Sequence, residues 1–589
     1  MRRQARARRA AVALLLPALV AASCSAPRDA ESGDATADLV SDSPSATPST
    51  EAELLGTEQS APSATRSGPA PETSTSETSP SGTSTPGTSA PASTRRVGRA
   101  ATSDWGPSRA ELRRARRVAD RMSLRRLAGQ VIVAEYDGRT APSALVNGLH
   151  LGGVIVMGWN VGSTAELRRS NRQLKRAVRQ AGRRWPVFIG VDQEGGVVER
   201  VQGRATRFPS FMSAGAARDR RLTHRATRAS GAELVDLGFT VVFAPSGDVT
   251  AGPQDPTIGS RSAGSRPVLV ANQMTAAVDG YLSAGILPVI KHFPGHGSVP
   301  ADSHVELPVQ TKTLRELRNS DLVPFAAGVE HGVPSVMAAH IDVRAVDPGS
   351  PSSLSRKVVT GLLRRDLGFG GLVVTDALNM AAVSARHGSA EAAVRALQAG
   401  NDVLLMPPSP VAARDGIVAA VRSGRLRRAR VEQAAARQIA VLRHQRDLEP
   451  TVTLRPGEGR PASHRLSAGA ATVVSGPCRG RLVGSVVYAT GPSDAVAAFN
   501  RAAARAGLGT GSGTSVALVG YGGGGRSADV VVTTDTPYAL GRSSARVARI
   551  AMYGDTPGAM RALVDVLLGK ARAPGRLPVP VPGVSRNGC

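Results

Sequence analysis

Aromatic side chains are scarce in this chain of 589 residues, with Phe, Trp and Tyr together at 3%. Bases stack on aromatic platforms, so the scarcity argues against a nucleic-acid partner even at a formal net charge of +27. The charge is spread over an Ala-, Arg- and Gly-rich background, and no nucleic-acid recognition motif accompanies it. A bias toward Arg explains it more simply. A surface this basic would still attract anionic wall polymers or lipid headgroups through long-range steering.

Cysteine is almost absent too, and only Cys24, Cys478 and Cys589 occur. In an exported protein, Cys478 and Cys589 read first as a disulfide, worth about 4 kcal/mol in a chain-entropy account, with two free thiols as the alternative. The apolar stretch Ala10 to Ala22 is too short to span a bilayer as a stable helix. Arg2, Arg3, Arg6, Arg8 and Arg9 precede it and small residues follow, the order of an export signal, with an uncleaved anchor as the alternative. Val20-Ala21-Ala22-Ser23-Cys24 resembles a bacterial lipoprotein signal, although Ala21 stands where Leu is usual. The resemblance implies a signal over residues 1–24 and an exported protein held at the cell membrane by a lipid on Cys24.

From about Pro27 to Thr102 apolar side chains are few, and Ser, Thr, Pro, Gly and Ala dominate. Such a segment has little to offset the entropy of ordering it, so residues 25–104 are expected to be a disordered tether that gives an anchored unit reach.

After Trp105 short apolar runs alternate with helical patterns, which predicts α/β architecture. The runs are Val131 to Ala134, Val154 to Met157, Val187 to Val191, Val241 to Ala244, Pro288 to Ile290, Ser335 to Ala338, Leu372 to Val374 and Val403 to Met406. Between them lie amphipathic stretches such as Ala165 to Ala181, and Ser355 is placed to cap a helix over Arg356 to Leu367 that Gly368 ends. The pattern predicts a (β/α)8 TIM-type barrel over 105–448, a connector over 449–470 and a smaller carboxyl-terminal α/β domain over 471–589. In that domain, strands are expected at Leu482 to Tyr488, Ser515 to Val519 and Val530 to Thr533, and a helix at Pro557 to Leu568. Barrel enzymes carry their chemistry at the carboxyl ends of strands. Asp192, Lys291 with His292, His340 and Asp376 all fall there.

Three clusters carry chemistry. Gly190-Val191-Asp192-Gln193-Glu194-Gly195-Gly196, with Arg200 beyond, sets a carboxylate among glycines, suited to sugar hydroxyls or simply to an acidic turn. Lys291-His292-Phe293-Pro294-Gly295-His296-Gly297 continues to Asp302-Ser303-His304. Three histidines and an Asp suggest a metal, but Pro294 and Gly295 break the helix that would put His292 and His296 on one face, so no metal or other cofactor is expected. Asp302 and His304, two apart on a loop, suit a carboxylate orienting an imidazole as general acid and base, against the alternative of incidental charge on a surface loop. Gly370-Gly371-Leu372-Val373-Val374-Thr375-Asp376 delivers one carboxylate from an apolar strand, either a nucleophile or a helix cap.

With these clusters the stretch from Met122 to about Met406 resembles glycoside hydrolase family 3, in its β-N-acetylglucosaminidase branch. Phe243-Ala244-Pro245, Ile258-Gly259-Ser260-Arg261-Ser262 and Asp402-Val403-Leu404-Leu405-Met406 add to the likeness, and K-H-F-P-G-H-G with D-S-H after it is its most specific part. The resemblance implies that Asp376 is the nucleophile, that His304 is the acid/base with Asp302 as its partner, and that Asp192, Arg200, Arg261, Lys291 and His292 bind the sugar. It implies a retaining, exo-acting enzyme on β-linked N-acetylglucosaminides, with peptidoglycan fragments or chitin-derived oligosaccharides as substrates.

A β-glucosidase or broad β-hexosidase on the same scaffold, a phosphorylase favoured by a neutral imidazole that repels phosphate less, and an inactive wall-binding lipoprotein are the competing readings. Three positions depart from the family pattern: Val197 replaces a common Arg, Ala377 a frequent second Asp, and Gly247 a usual apolar residue. The first two bear on subsite contacts.

Overall fold

The computed structural model describes residues 106–589. Cys24, the export signal and the whole of the expected tether lie outside the described residues. No helix among the described residues is long and apolar enough to cross a membrane.

Eight parallel strand segments follow one another round a closed ring: β1 (Ile132–Ala134), β2 (Gly153–Val156), β3 (Phe188–Val191), β4 (Val241–Val242), β5 (Leu287–Pro288 continuing as Ile290–Phe293), β6 (Ser335–Ala338), β7 (Leu372–Thr375) and β8 (Leu404–Leu405). Each pairs with the next: β4 meets the first half of β5, β6 meets the second, and a bridge between Val374 and Val403 joins β7 to the run that leads into β8. β8 pairs with β1 through Ile132 and Leu404, which completes a TIM-type barrel. Every one of these strands is buried on both faces, which is why each reads in sequence as a continuous apolar run. Side chains fill the interior, among them Val133, Ile155, Phe188, Phe243, Met337 and Val374.

The helices lie outside the ring and are set by ordinary capping. Ser163 and Glu166 form a capping box at the start of Thr164–Gln180, which turns Leu167, Leu174 and Val178 inward. The expected helix from Arg356 to Leu367 takes another form. Ser355 Oγ does accept the Val358 N–H at 3.2 Å and Gly368 does follow with φ +77, but Lys357–Asp366 winds as a wider π-helix, closed by Leu367 N–H to Leu362 C=O at 3.0 Å. Capping chemistry marks where a helix begins and stops, and leaves its pitch to packing.

The carboxyl-terminal domain is a six-stranded sheet of β9 (Thr472–Ser475), β10 (Val486–Thr490), β11 (Gly509–Thr510), β12 (Thr514–Val519), β13 (Ser527–Thr533) and β14 (Ser544–Ala551) in the order β9-β14-β13-β12-β10-β11. Only the β9–β14 pair is antiparallel. The strand expected at Leu482 to Tyr488 begins later, at Val486, where pairing with Gly509 and Thr514 starts; Leu482 and Val483 are buried in the domain core ahead of it. Cys478 and Cys589 form a disulfide with Cα atoms 5.7 Å apart, tying the last residue to this sheet domain.

The two domains meet beside the barrel mouth. Ser210 N–H and Oγ donate to Tyr553 C=O, Arg576 N–H donates to Ala216 C=O, and Ser265 N–H donates to Pro578 C=O. A Cβ added at Gly264 would sit 2.6 Å from Pro578 C=O, so the close approach there requires glycine.

Candidate active site

β3 ends at Val191 and hands the chain to Asp192, after which Gln193–Gly195 pairs with Val198–Glu199 in a small arm. β5 brings Lys291 and His292 to the same mouth across a cis peptide bond. The Lys291 ammonium is 2% exposed, with Nζ 2.6 Å from Asp192 Oδ1 and 2.7 Å from Glu194 Oε1. Arg261 clamps Glu194 with two hydrogen bonds of 3.0 and 2.8 Å and also donates to His292 Nε2 at 3.3 Å. Four of the five expected sugar-binding residues are therefore joined in one network. Arg200 is outside it: its main-chain N–H donates to Gln193 Oε1, and its Nε is buried with no partner among the described residues.

Behind this network lies Asp248, fully buried, which the sequence offered only as the neighbour of Gly247. Its Oδ2 takes His292 Nδ1–H at 2.6 Å and Ser246 Oγ–H at 3.0 Å, and its Oδ1 takes the N–H groups of His292 at 3.2 Å and His296 at 2.7 Å. Gly247 itself is packed, since a Cβ there would meet Met274 Sδ at 3.0 Å. His292 and His296 have ring centroids 6.0 Å apart, brought together by this shared carboxylate. Among the described residues no group of three His, Cys, Asp or Glu side chains is arranged to hold a metal ion.

Burial alone would raise the carboxyl groups of Glu194 and Asp248, yet both are held well below the usual range, Glu194 by Arg261 and Lys291, Asp248 by His292 and the His296 N–H. Lys291 is pushed up in turn: Asp192 and Glu194 outweigh its burial. Each charge in the network keeps its partner ionised.

Asp376 follows β7 directly. Its N–H donates to Ala338 C=O at 2.9 Å and its Oδ1 accepts the Ala377 N–H at 2.8 Å. It caps no helix, because the next one, Ala381–Ser384, starts from Met380. Burial raises the Asp376 carboxyl, but His292, His340, the Ala377 N–H and Lys291 outweigh it and hold the group below its ordinary value. His340 is buried and braces the following turn, donating from Nε2 to Ala377 C=O at 2.9 Å.

Asp302 and His304 form a pair on the loop after β5. His304 Nδ1–H and N–H both donate to Asp302 Oδ1, at 2.7 and 2.9 Å, and the imidazole is 63% exposed. Burial works against ionising Asp302, but the two His304 donors outweigh it and lower its carboxyl. No hydrogen bond joins this pair to Asp376. The loop is tied to both neighbours instead: Ser303 Oγ pairs with His296 Nε2 at 2.9 Å, and Ser303 C=O accepts Ala382 N–H just beyond Asp376 at 3.4 Å. His340 lies within electrostatic reach of both Asp376 and His304.

The segment carrying Arg261 is held from the other domain. Ser260 Oγ donates to Asp535 Oδ1 at 2.5 Å, and both side chains are buried. Asp255 accepts the N–H groups of Thr257, Ile258 and Gly259 and so shapes the turn locally.

A barrel mouth that carries a buried, ionised carboxylate, an exposed imidazole oriented by a second carboxylate on a neighbouring loop, and a network of buried paired charges has the chemical groups that a hydrolase of polar ligands needs. Residues 123–441 match the glycosyl hydrolase family 3 N terminal domain, and the chain belongs to that family. It is a glycoside hydrolase. Over 321 residues it is 36% identical to β-hexosaminidase LpqI of Mycobacterium tuberculosis, a match that takes in 53% of this chain and 80% of that protein. With β-hexosaminidase A of Pseudoalteromonas piscicida it shares 37% identity over 281 residues, 45% of this chain and 47% of the relative, so it spans about half the length of that protein. A solved glycoside hydrolase family 3 β-N-acetylglucosaminidase from Paenibacillus sp. str. FPU-7 superposes with a TM-score of 0.71 at 29% identity, covering 79% of this chain and 100% of that one.

Asp248→Ala strips the acceptor from four donors at once and should lower unfolding stability by about 3 to 5 kcal/mol in a denaturant titration; an unshifted midpoint would show that Asp248 organises nothing. Burial, then the charge of His292, lowers His296 to about 4 against the partial opposition of Asp248 and Asp376. Between about 6.5 and about 4 the unfolded chain binds the proton and the folded one does not, so stability should fall as pH falls through that window. Melting temperature against pH should flatten there in His296→Gln, and an identical slope in the variant would refute the assignment.

Proposed function

We propose that the chain is a retaining, exo-acting β-N-acetylglucosaminidase that releases terminal N-acetylglucosamine from peptidoglycan fragments or related oligosaccharides. The observation that carries the reading is the buried Asp376 carboxylate, kept ionised beside Lys291, His292 and His340 at the end of β7. An ionised carboxylate is ready to attack an anomeric carbon, and the ester it forms is a covalent glycosyl-enzyme. As the glycosidic bond breaks, its oxygen takes a proton from His304 Nε2. The same nitrogen then accepts a proton from the water that opens the ester at the anomeric carbon. Asp302 supports both steps, since its hydrogen bond to Nδ1 fixes the orientation of the ring. The exposure of His304 suits a group that must meet a departing aglycone and then water.

In this reading Asp192, Lys291 and Arg261 hold the ring hydroxyls, with His292 oriented by Asp248 and Glu194 fixing the two cations; Arg200 is assigned to the same sugar by the family resemblance alone. The names of the relatives support the choice of amino sugar: β-hexosaminidase for two and β-N-acetylglucosaminidase for the third. The leader sequence supports export and anchoring through a lipid on Cys24.

Asp376→Ala should reduce turnover of a chromogenic β-N-acetylglucosaminide at least about 1,000-fold, and His304→Ala by about 100- to 10,000-fold, with melting temperatures near wild type. A glycosyl adduct on Asp376 should be visible by mass spectrometry with a slow substrate. Equal or greater turnover of the matching glucoside by the wild-type enzyme would replace the amino-sugar reading with the β-glucosidase one. Asp535→Ala releases Ser260 and so loosens Arg261; KM should rise about fivefold or more with kcat less affected, and Asp535→Asn should recover part of the loss. An unchanged KM in Asp535→Ala would remove the second domain from substrate positioning.

A further inference from the structure

We propose that the barrel face opposite Asp376 carries a binding site for a phosphate-bearing linear polyanion, in an arginine-lined cleft of about 880 Å3. Seven arginines line that cleft and the one carboxylate among its lining residues is Glu391. Behind the lining lies the buried Asp402, which faces three of those guanidinium groups: Arg364 at 2.6 Å, Arg430 at 3.0 Å and Arg437 at 3.2 Å. One negative charge against three positive ones leaves the lining cationic. At the rim Glu391 already answers Arg395 and Arg425, at 2.7 and 2.5 Å, again with one carboxylate to two cations. Arg356 and Arg427 are exposed and have no side-chain partner among the described residues.

The surplus is felt by the groups themselves. Burial, and then the like charges of Arg437 and Arg430 against the relief from Asp402, lower Arg364 to about 10. Asp402, opposed by its burial, is still drawn down to about 2 by the three arginines. An anion entering the cleft would relieve a repulsion that no protein carboxylate cancels.

Position separates this cleft from the sugar chemistry. Asp402 Oδ2 accepts the N–H of Val373 at 3.1 Å and Arg364 donates to Gly371 C=O at 3.1 Å, both at the amino end of β7. Asp376 leaves the carboxyl end of the same strand. A ligand held here would leave the mouth free. The chemistry of the lining selects the ligand: guanidinium forks match the oxygens of phosphate, the volume far exceeds one phosphate group, and the unpaired arginines stand at the rim where a chain would continue. No aromatic side chain lines the cleft, so nucleic-acid bases find no stacking surface. The inference does not depend on which sugar the mouth accepts.

The test is binding of the full chain to a linear polyphosphate across a salt series, with inorganic phosphate and duplex DNA as comparison probes. Arg356→Gln with Arg427→Gln should weaken polyphosphate binding about tenfold and lower the log–log salt slope by about one for each arginine removed, with chromogenic turnover unchanged. Arg221→Gln with Arg225→Gln, a pair of exposed arginines on another helix, serves as the control for general surface charge. Equal losses in the two double variants would overturn the proposal, as would inorganic phosphate or DNA binding as tightly as polyphosphate, or no binding at all.

Discussion

A lysine ammonium taken almost wholly out of water is the constraint on which the rest of the mouth depends. Lys291 is tolerable at the end of β5 only because Asp192 and Glu194 meet it within 2.7 Å, and Glu194 is tolerable there only because Arg261 holds its other side. Removing one member leaves another charge buried without a partner, a far larger penalty than the net worth of any pair. The network thus fixes four strand ends and loops relative to one another before any ligand arrives. Asp248 repeats the logic one layer deeper, where a single carboxylate organises His292, His296 and Ser246. Preorganisation of this kind is what lets weak hydroxyl contacts discriminate between sugars.

The same constraint explains how the second domain bears on the mouth without lending it an ionisable group. Arg261 is anchored at its tip by Glu194 and at its root by a backbone segment that Asp535 and Pro578 hold from outside. A guanidinium fork is useful only if its plane is fixed, and a loop alone would let it swing. The barrel supplies the carboxylate and the other domain supplies the rigidity.

The barrel was legible in sequence because parallel strands buried on both faces have to be apolar throughout, and all eight runs fall on the eight strand segments of the ring. The second domain was less so. β14 (Ser544–Ala551) is interrupted by Arg546 and Arg549 and is exposed or half-exposed over its first half, so it gives no sustained apolar run. At the mouth, Asp192, Lys291 and His292 stood out at strand ends, Arg261 came only with the family resemblance, and the four are joined. Asp248 and Glu194 were missed as site residues for a physical reason: a carboxylate whose task is to hold other side chains has no spacing signature, and its importance lies in partners such as His292, 44 positions away from Asp248 in sequence. Short-range order also failed at Lys357–Asp366, where cap residues were read correctly and pitch was not.

β7 and the turn before β8 make the barrel electrically two-ended. At the carboxyl end of β7 a single carboxylate, Asp376, is surrounded by imidazoles and one ammonium; at the amino end a single carboxylate, Asp402, is surrounded by arginines. Both are buried and both are held ionised, so their difference lies in what surrounds the pair. Around Asp376 the Lys291 ammonium already answers to Asp192 and Glu194 and the His292 ring to Asp248, so no neighbour depends on Asp376 for its partner. Around Asp402 the arginines outnumber their acceptor, and the carboxylate is spent on holding them together. A buried carboxylate is left free for a ligand when its neighbours are satisfied by others and becomes structural when it alone must satisfy them; under the proposed function Asp376 is the first kind, while the partners of Asp402 make it the second.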